Sequence, residues 1–292
     1  MAIPYEFAYE KPATLDLAIK LLGEHGKNAR LLAGGTDLAN QMKQGFRVPQ
    51  LLIDIKGIHE LEVIRMVANE LHIGALVTFN DIRSSRLIRE KANILHEAAG
   101  MVASTGVRNR ATMVGNICSA VACMDSATPL LVHESVVHTL SANGEKKYPI
   151  QDWFIDNRKT AIQDDEIVTH VSIPIPEEKY AGAYQKMMRY SGEDLSQSNV
   201  SVLMLSDKQF RVAFGSVGPI PKRSPKIEKL LHSEGISKET IDKAKAMIET
   251  VIAPITDVRA TKEYRMHMTK VMFERALNTA MERYKQPRVI SY

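Results

Sequence analysis

Gly34 and Gly35, in Leu31-Leu32-Ala33-Gly34-Gly35-Thr36-Asp37-Leu38, stand where an apolar run gives way to a helical pattern. Two glycines at a strand-to-helix boundary let backbone amides approach a bound anion with no Cβ in the way. The same pair suits a plain turn, and this segment alone leaves both readings open. It matches neither G-x-G-x-x-G in a strand-turn-helix context nor G-x-x-x-x-G-K-[ST], so a nucleotide held here lies on some other fold. A second loop, residues 105–116, reads Thr-Gly-Val-Arg-Asn-Arg-Ala-Thr-Met-Val-Gly-Asn. Its hydroxyls, amides and N–H groups can donate to phosphate or heterocycle oxygens, or simply to one another in an Asx-rich turn.

Other chemistry-bearing residues are sparse. Cys118 and Cys123 are the only cysteines, and two thiols cannot complete a four-ligand zinc or iron–sulfur site. They read as reduced, small, buried residues. Nine histidines carry no H-x-x-x-H or H-E-x-x-H pattern, which argues against metal ligation. Asp125 opens Asp-Ser-Ala-Thr-Pro-Leu and can cap a helix or accept from paired hydroxyls, while Lys186 by itself reads as a solvated lysine. Met266, Met268 and Met272 read as core filler, and Trp153 beside Phe154 as the anchor of a domain contact.

The elements that must position these groups follow from periodicity. Thr14 can cap a helix through Leu15, Ala18, Ile19 and Leu22 that closes at Gly26. A strand ending at residue 33, the glycine turn, a helix over 37–42 capped by Thr36 or Asp37, and a buried strand over 51–55 complete a compact αβαβ unit. Strands over 61–67 and 70–74, helices from Thr78 and over 90–103, and a hairpin about Asn143-Gly144 suggest a mixed second subdomain. Ile173-Pro174-Ile175-Pro176 cannot continue a helix or central strand and marks the main boundary. Beyond it the pattern predicts an antiparallel pair over 199–205 and 210–217, then helices from about 225, 237 and 261.

At 292 residues and a formal charge of +4, with basic and acidic residues intermixed, the chain favours no nucleic-acid partner. No apolar run reaches membrane-spanning length and the N-terminus lacks a secretory pattern, so a cytoplasmic location is expected.

Taken together, A-G-G-T-D at 33–37 and R-N-x-A-T-x-x-G-N at 108–116 resemble the FAD-binding, medium subunit of the molybdenum hydroxylase family, which includes xanthine dehydrogenase and carbon monoxide dehydrogenase. The likeness covers nearly the whole chain, to Arg259 and Arg265, and is nearest to xanthine dehydrogenase-type subunits. It implies an α+β fold: a two-subdomain FAD-binding domain of the vanillyl-alcohol-oxidase/PCMH type over 1–176 (subdomains about 1–58 and 59–176), then an α+β domain over 177–292 as in CO dehydrogenase flavoprotein subunits. By motif match, Leu31, Leu32, Ala33, Gly34, Gly35, Thr36, Asp37 and Leu38 hold the FAD pyrophosphate. Thr112, Gly115 and Asn116 hold the cofactor, with Val107, Arg108 and Asn109 shaping the loop. Val114 departs from the family's Ile-Gly-Gly-Asn and puts a Cβ beside the cofactor. The resemblance sends Asp125 to the adenosine and ribose end, Ile167 to the flavin ring, and Lys186 to the flavin's pyrimidine side.

The activity implied is that of an oxidoreductase subunit. Molybdopterin on a large subunit hydroxylates a purine-like or other heterocycle, electrons cross the 2Fe–2S clusters of a small subunit, and FAD in this chain passes them as hydride to NAD. A dimer of heterotrimers is expected. The alternatives are a hydroxylase of carbon monoxide, nicotinate or another aromatic heterocycle, a free-standing flavoprotein, and an assembly protein without FAD.

Overall fold

The computed structural model describes residues 2–190, 192–206 and 209–286. Strand β1 (Ala8–Glu10), helix α1 (Leu15–His25), β2 (Ala29–Leu32), α2 (Leu38–Lys43) and β3 (Leu51–Asp54) form the first unit. Its parallel sheet has the order β1-β3-β2, and all four residues of central β3 are buried, as a strand covered on both faces requires. The Thr14 hydroxyl accepts from the Leu17 amide and starts α1, which turns Leu15, Ala18, Ile19 and Leu22 inward.

The chain continues through β4 (Ile64–Val67), β5 (Glu70–Gly74), α3 (Phe79–Ser84), α4 (Arg86–Lys91), α5 (Asn93–Gly100), α6 (Thr105–Arg108), α7 (Met113–Ser119) and α8 (Ala127–Val132). It then forms β6 (Val136–Ser141), β7 (Gly144–Pro149), α9 (Ile150–Trp153), β8 (Phe154–Asp156), β9 (Lys159–Thr160) and β10 (Ile167–Pro174). β10 returns through the middle of a five-stranded antiparallel sheet, β4-β5-β10-β6-β7. The Asn143-Gly144 turn joins β6 to β7 with Ser141 opposite Gly144, as the sequence predicts.

The last part is a four-stranded antiparallel sheet of β11 (Ala181–Met187), β12 (Ser198–Met204), β13 (Phe210–Gly215) and β14 (Lys222–Arg223), followed by α10 (Pro225–Glu234), α11 (Lys238–Val251) and α12 (Lys262–Lys285). This sheet is a partition. Val200, Val202, Val212 and Phe214 pack in one core with Phe273, Ala276 and Leu277 of α12. The alternate residues Tyr184, Leu203 and Ala213 join the core of the preceding part. The two-residue period of a strand thus serves two cores at once.

Several expectations shift. The helix over 90–103 is two helices, broken at Ala92, where Asn93 reaches out to donate to the Gly182 carbonyl and fixes the start of α5 on β11. The strand from 61 starts at Ile64, because residues 59–61 make a 3-10 turn and the Leu61 carbonyl accepts from the Leu76 amide. Trp153 does not bridge domains: its Nε1 donates to the Ile117 carbonyl at 3.0 Å and its ring meets Tyr148 edge-on, tying α9 to α7 and β7.

Candidate functional site

The loop after β2 and the loop before α7 meet. An added Cβ on Gly34 would lie 1.9 Å from the Arg110 carbonyl oxygen, so only glycine permits this approach. Gly35 takes a φ of +73°, the left-handed region, and turns the chain into α2. Among the described residues, the N–H groups of Gly34, Gly35, Thr36 and Asp37 have no acceptor. Neither Thr36 nor Asp37 caps α2 with its side chain, a correction to the sequence reading. Instead the Asp37 carboxylate accepts from Gln41 and from Ser119, both at 2.7 Å, and lies 3.8 Å from the Arg158 guanidinium. The first loop is thereby tied to α7 and to the β8–β9 turn, which leaves its amides open toward a cleft of about 490 Å³.

That cleft is lined by Leu31, Ala33, Gly34, Gly35, Thr36, Asp37 and Leu38 from the first loop, and by Val107, Thr112, Gly115, Asn116 and Asp125 from the second segment. On the second loop the Thr112 hydroxyl accepts from the Gly115 amide at 2.9 Å, and the Asn116 amide oxygen accepts from Ser126 at 2.7 Å. Arg108 is buried and braces the loop, donating to the carbonyls of Val102 and Ala103 and to the Thr105 hydroxyl. Asn109 is exposed, and Leu32 lies behind Gly35.

Three assignments change with the structure in view. Val114 is buried in the hydrophobic core as the second residue of α7, so its side chain points away from the cleft and disturbs nothing there. Ile167 is fully buried at the start of β10 and is not among the cleft-lining residues; it packs in the core. Asp125 and Lys186 cannot mark opposite ends of a long ligand. The Lys186 ammonium donates to Asp125 Oδ2 at 3.0 Å and to the Met101 carbonyl at 2.8 Å, and Tyr184 donates to Asp125 Oδ1 at 2.6 Å. Tyr184 and Lys186 lie two apart on β11 and so share a face, by which the C-terminal sheet reaches the cleft wall. Burial pushes the Asp125 carboxyl above its usual range against the pull of Lys186 and Tyr184. Lys186 has no exposed surface and acts on the cleft through Asp125.

Cys118 and Cys123 are half-buried and line the cleft, and Cys118 also packs against the hydrophobic core. Burial pushes the Cys118 thiol up to about 12 and also raises Cys123, so both stay protonated near neutral pH. Sequence reasoning missed Arg30, Gln41, Arg47, Ser119, Arg158 and Asp194, all of which line the cleft, because no local pattern marks them. The donor set suits a dinucleotide with a diphosphate: open amides and cations at one stretch of the wall, hydroxyls and a buried carboxylate at another. The fit with FAD is therefore good. Among the described residues, no helix is long and apolar enough to cross a membrane, and no cluster of histidine, cysteine and carboxylate side chains could hold a metal ion.

Comparison with known proteins agrees with this geometry. Residues 5–176 match the FAD binding domain in molybdopterin dehydrogenase, and residues 182–280 match the CO dehydrogenase flavoprotein C-terminal domain. The chain is 30% identical to the carbon monoxide dehydrogenase medium chain of Hydrogenophaga pseudoflava, over 96% of this chain and 99% of that one. It is 29% identical to the xanthine dehydrogenase FAD-binding subunit of Escherichia coli O157:H7, over 95% and 97%. A solved structure of the carbon monoxide dehydrogenase from Hydrogenophaga pseudoflava, lacking the Mo-pyranopterin moiety of its cofactor, superposes with a TM-score of 0.92 at 31% identity, covering 97% of this chain and 99% of that one. The chain belongs to the family of FAD-binding subunits of molybdenum hydroxylases.

Proposed function

We propose that this FAD-binding subunit works within a complex, taking electrons from the 2Fe–2S clusters of a small partner and delivering them to NAD, with a molybdopterin-bearing large partner oxidising the substrate. Bound in the cleft, FAD supplies the exchange between one-electron clusters and a two-electron acceptor. The chain's own residues position it. The amides of residues 34–37 hold an anion, Thr112 and Gly115 shape the facing wall, and Asp125, clamped by Lys186 and Tyr184, offers a fixed acceptor. The observation that carries the reading is the run of four unengaged amides lining a cleft, in the loop to which the resemblance assigns the cofactor's pyrophosphate. A shortage of cysteines supports the division of labour, since clusters need thiolates this chain lacks.

Substrate choice belongs to the large partner in this reading. Nearly equal identity to carbon monoxide and xanthine dehydrogenase subunits favours neither substrate. Xanthine, carbon monoxide and nicotinate are the substrates to try. Assay of the native complex with each, against NAD and against an artificial dye, tests the proposal. Substrate-dependent NADH formation that disappears when FAD is stripped and returns when it is restored is the expected result. Dye reduction without NADH under all three substrates would move the acceptor elsewhere, and isolation of the chain as an active monomer would sink the subunit reading.

A further inference from the structure

The chain between α9 and β10 makes a hairpin that reaches the cleft by its tip. Its root is fast: Phe154 is buried, Trp153 donates to the Ile117 carbonyl, and the Ala161 amide donates to the Trp153 carbonyl at 2.9 Å. Its arms are not. β8 and β9 form a sheet of two strands, with Phe154 opposite Thr160 and Asp156 opposite Lys159, and Ile155 stands 52% exposed. Two strands with no third beside them are marginal in water, so this hairpin keeps its place through what its tip touches.

The tip, Asn157 and Arg158, touches both sides of the cleft. On one side the Arg158 amide donates to the Ala120 carbonyl at 2.7 Å, and the Asn157 side-chain oxygen accepts from the Ala122 amide at 3.3 Å. On the other the Arg158 guanidinium faces the Asp37 carboxylate at 3.8 Å, and that carboxylate also accepts from Ser119. Both charged groups are open to water, Arg158 by 48% and Asp37 by 39%, and such a pair holds weakly. Strain works against it. Ala120, at the end of α7, has a φ of +46° and Arg158 one of +61°, a left-handed backbone that residues with a Cβ keep only while their surroundings hold them there. A firm root, a strained tip and a weak exposed ion pair make a part that opens locally while the rest of the fold stays shut.

We propose that the β8–β9 hairpin is a strap across one lip of the cleft, with Asp37 as its catch, and that it lifts to let the cofactor in and out. Release from Asp37 frees the tip, and Ala120 and Arg158 relax toward ordinary backbone as it moves away. The loop at 34–37 stays in place, because Gly34 remains packed on the Arg110 carbonyl and Asp37 remains bonded to Gln41. Opening therefore falls to the strap, whose tip residue Arg158 lines the cleft together with Asp37 and Ser119. That the strap admits FAD rests on the reading that the cleft binds it; the lifting itself does not.

Cys118 and Cys123 are the chain's only cysteines and both line the cleft, so their labelling by N-ethylmaleimide, an uncharged reagent, times the lifting in the flavin-free full chain. Arg158→Gln should label about threefold faster, and Asp37→Ala, which also loses the hydrogen bond from Ser119, about tenfold. The signs are diagnostic. Loss of a negative charge favours the reactive thiolate and loss of a positive one disfavours it, so a field effect alone would speed Asp37→Ala and slow Arg158→Gln, whereas a loosened catch speeds both. In stopped flow, Arg158→Gln should bind and release FAD each about threefold faster, with its affinity nearly unchanged. Thermal melts confirm that each variant is folded. Labelling unchanged or slower in folded Arg158→Gln, or faster labelling with unaltered rates of FAD exchange, would overturn the strap as a gate. A wild-type chain that takes up no FAD, while both variants label faster as expected, would sink the flavin reading and support the lifting.

Discussion

Two hollows of this molecule hold polar groups in opposite ways. On one face of the five-stranded sheet, a hollow of about 410 Å³ is lined by Glu60, Arg65, His72, Thr169 and His170. The rings of His72 and His170 stack with centroids 4.6 Å apart, and those of His170 and His138 at 4.1 Å. These imidazoles find partners within the fold: His72 with Glu70, His138 with Ser172, and His170 Nδ1 with Thr169. The cleft is the reverse. The backbone amides of residues 34–37 in its lining have no acceptor among the described residues. A cluster of titratable rings looks like chemistry yet finds a partner for each ring within the fold, with the buried His170 Nε2 left without one, whereas a short glycine loop looks like a turn and is left with a run of donors to give. Unsatisfied donors held rigidly around a concavity are the better sign of a ligand.

The largest effect that sharpens this contrast comes from the cleft's buried ion pair. Lys186→Met leaves Asp125 without its cation in a site closed to water, and should cost about 3–5 kcal/mol in urea unfolding. A loss under about 1 kcal/mol would mean that Asp125 is not charged in the folded chain. Gly34→Ala should follow, at about 3 kcal/mol, because the new methyl meets a backbone carbonyl that cannot rotate away. Flavin content should fall with it, as the two loops are driven apart. His72→Gln in the other hollow should change stability by well under 1 kcal/mol and leave flavin content alone.

Acid probes the histidines. Burial lowers His133 and His170 from 6.5 to about 4 each. In the unfolded chain these rings take up protons near 6.5, so between that pH and about 4 the unfolded form binds more protons than the folded one. Stability should therefore be constant above pH 6.5 and fall as the pH drops toward 4, by about 3 kcal/mol from fully buried His133 alone. His133→Gln should flatten that slope, and an unchanged slope would show that the fold does not lower this ring below its ordinary value.

Local chemistry made much of this legible before any fold was known. The Thr14 cap, the Asn143-Gly144 hairpin and the glycine turn each depend on neighbours within a few residues, and each lies where the pattern puts it. Long-range pairings were not legible. Lys186 and Asp125 are 61 residues apart in the chain, and nothing near either one announces the other. Val114 was misread because a departure from a motif says nothing about which face of a helix the residue occupies; packing of α7 decides that. The histidine stack arises from register, with His170 opposite His138 and Ser172 opposite His72, which no spacing in the sequence encodes.

The central claim is that the turn at Gly34 and Gly35 cradles the diphosphate of FAD. An experimental structure of the native, FAD-loaded complex tests it most directly. The account predicts phosphate oxygens within about 3 Å of the amides of residues 34–37. A diphosphate lying elsewhere, with those amides turned to solvent, would contradict it.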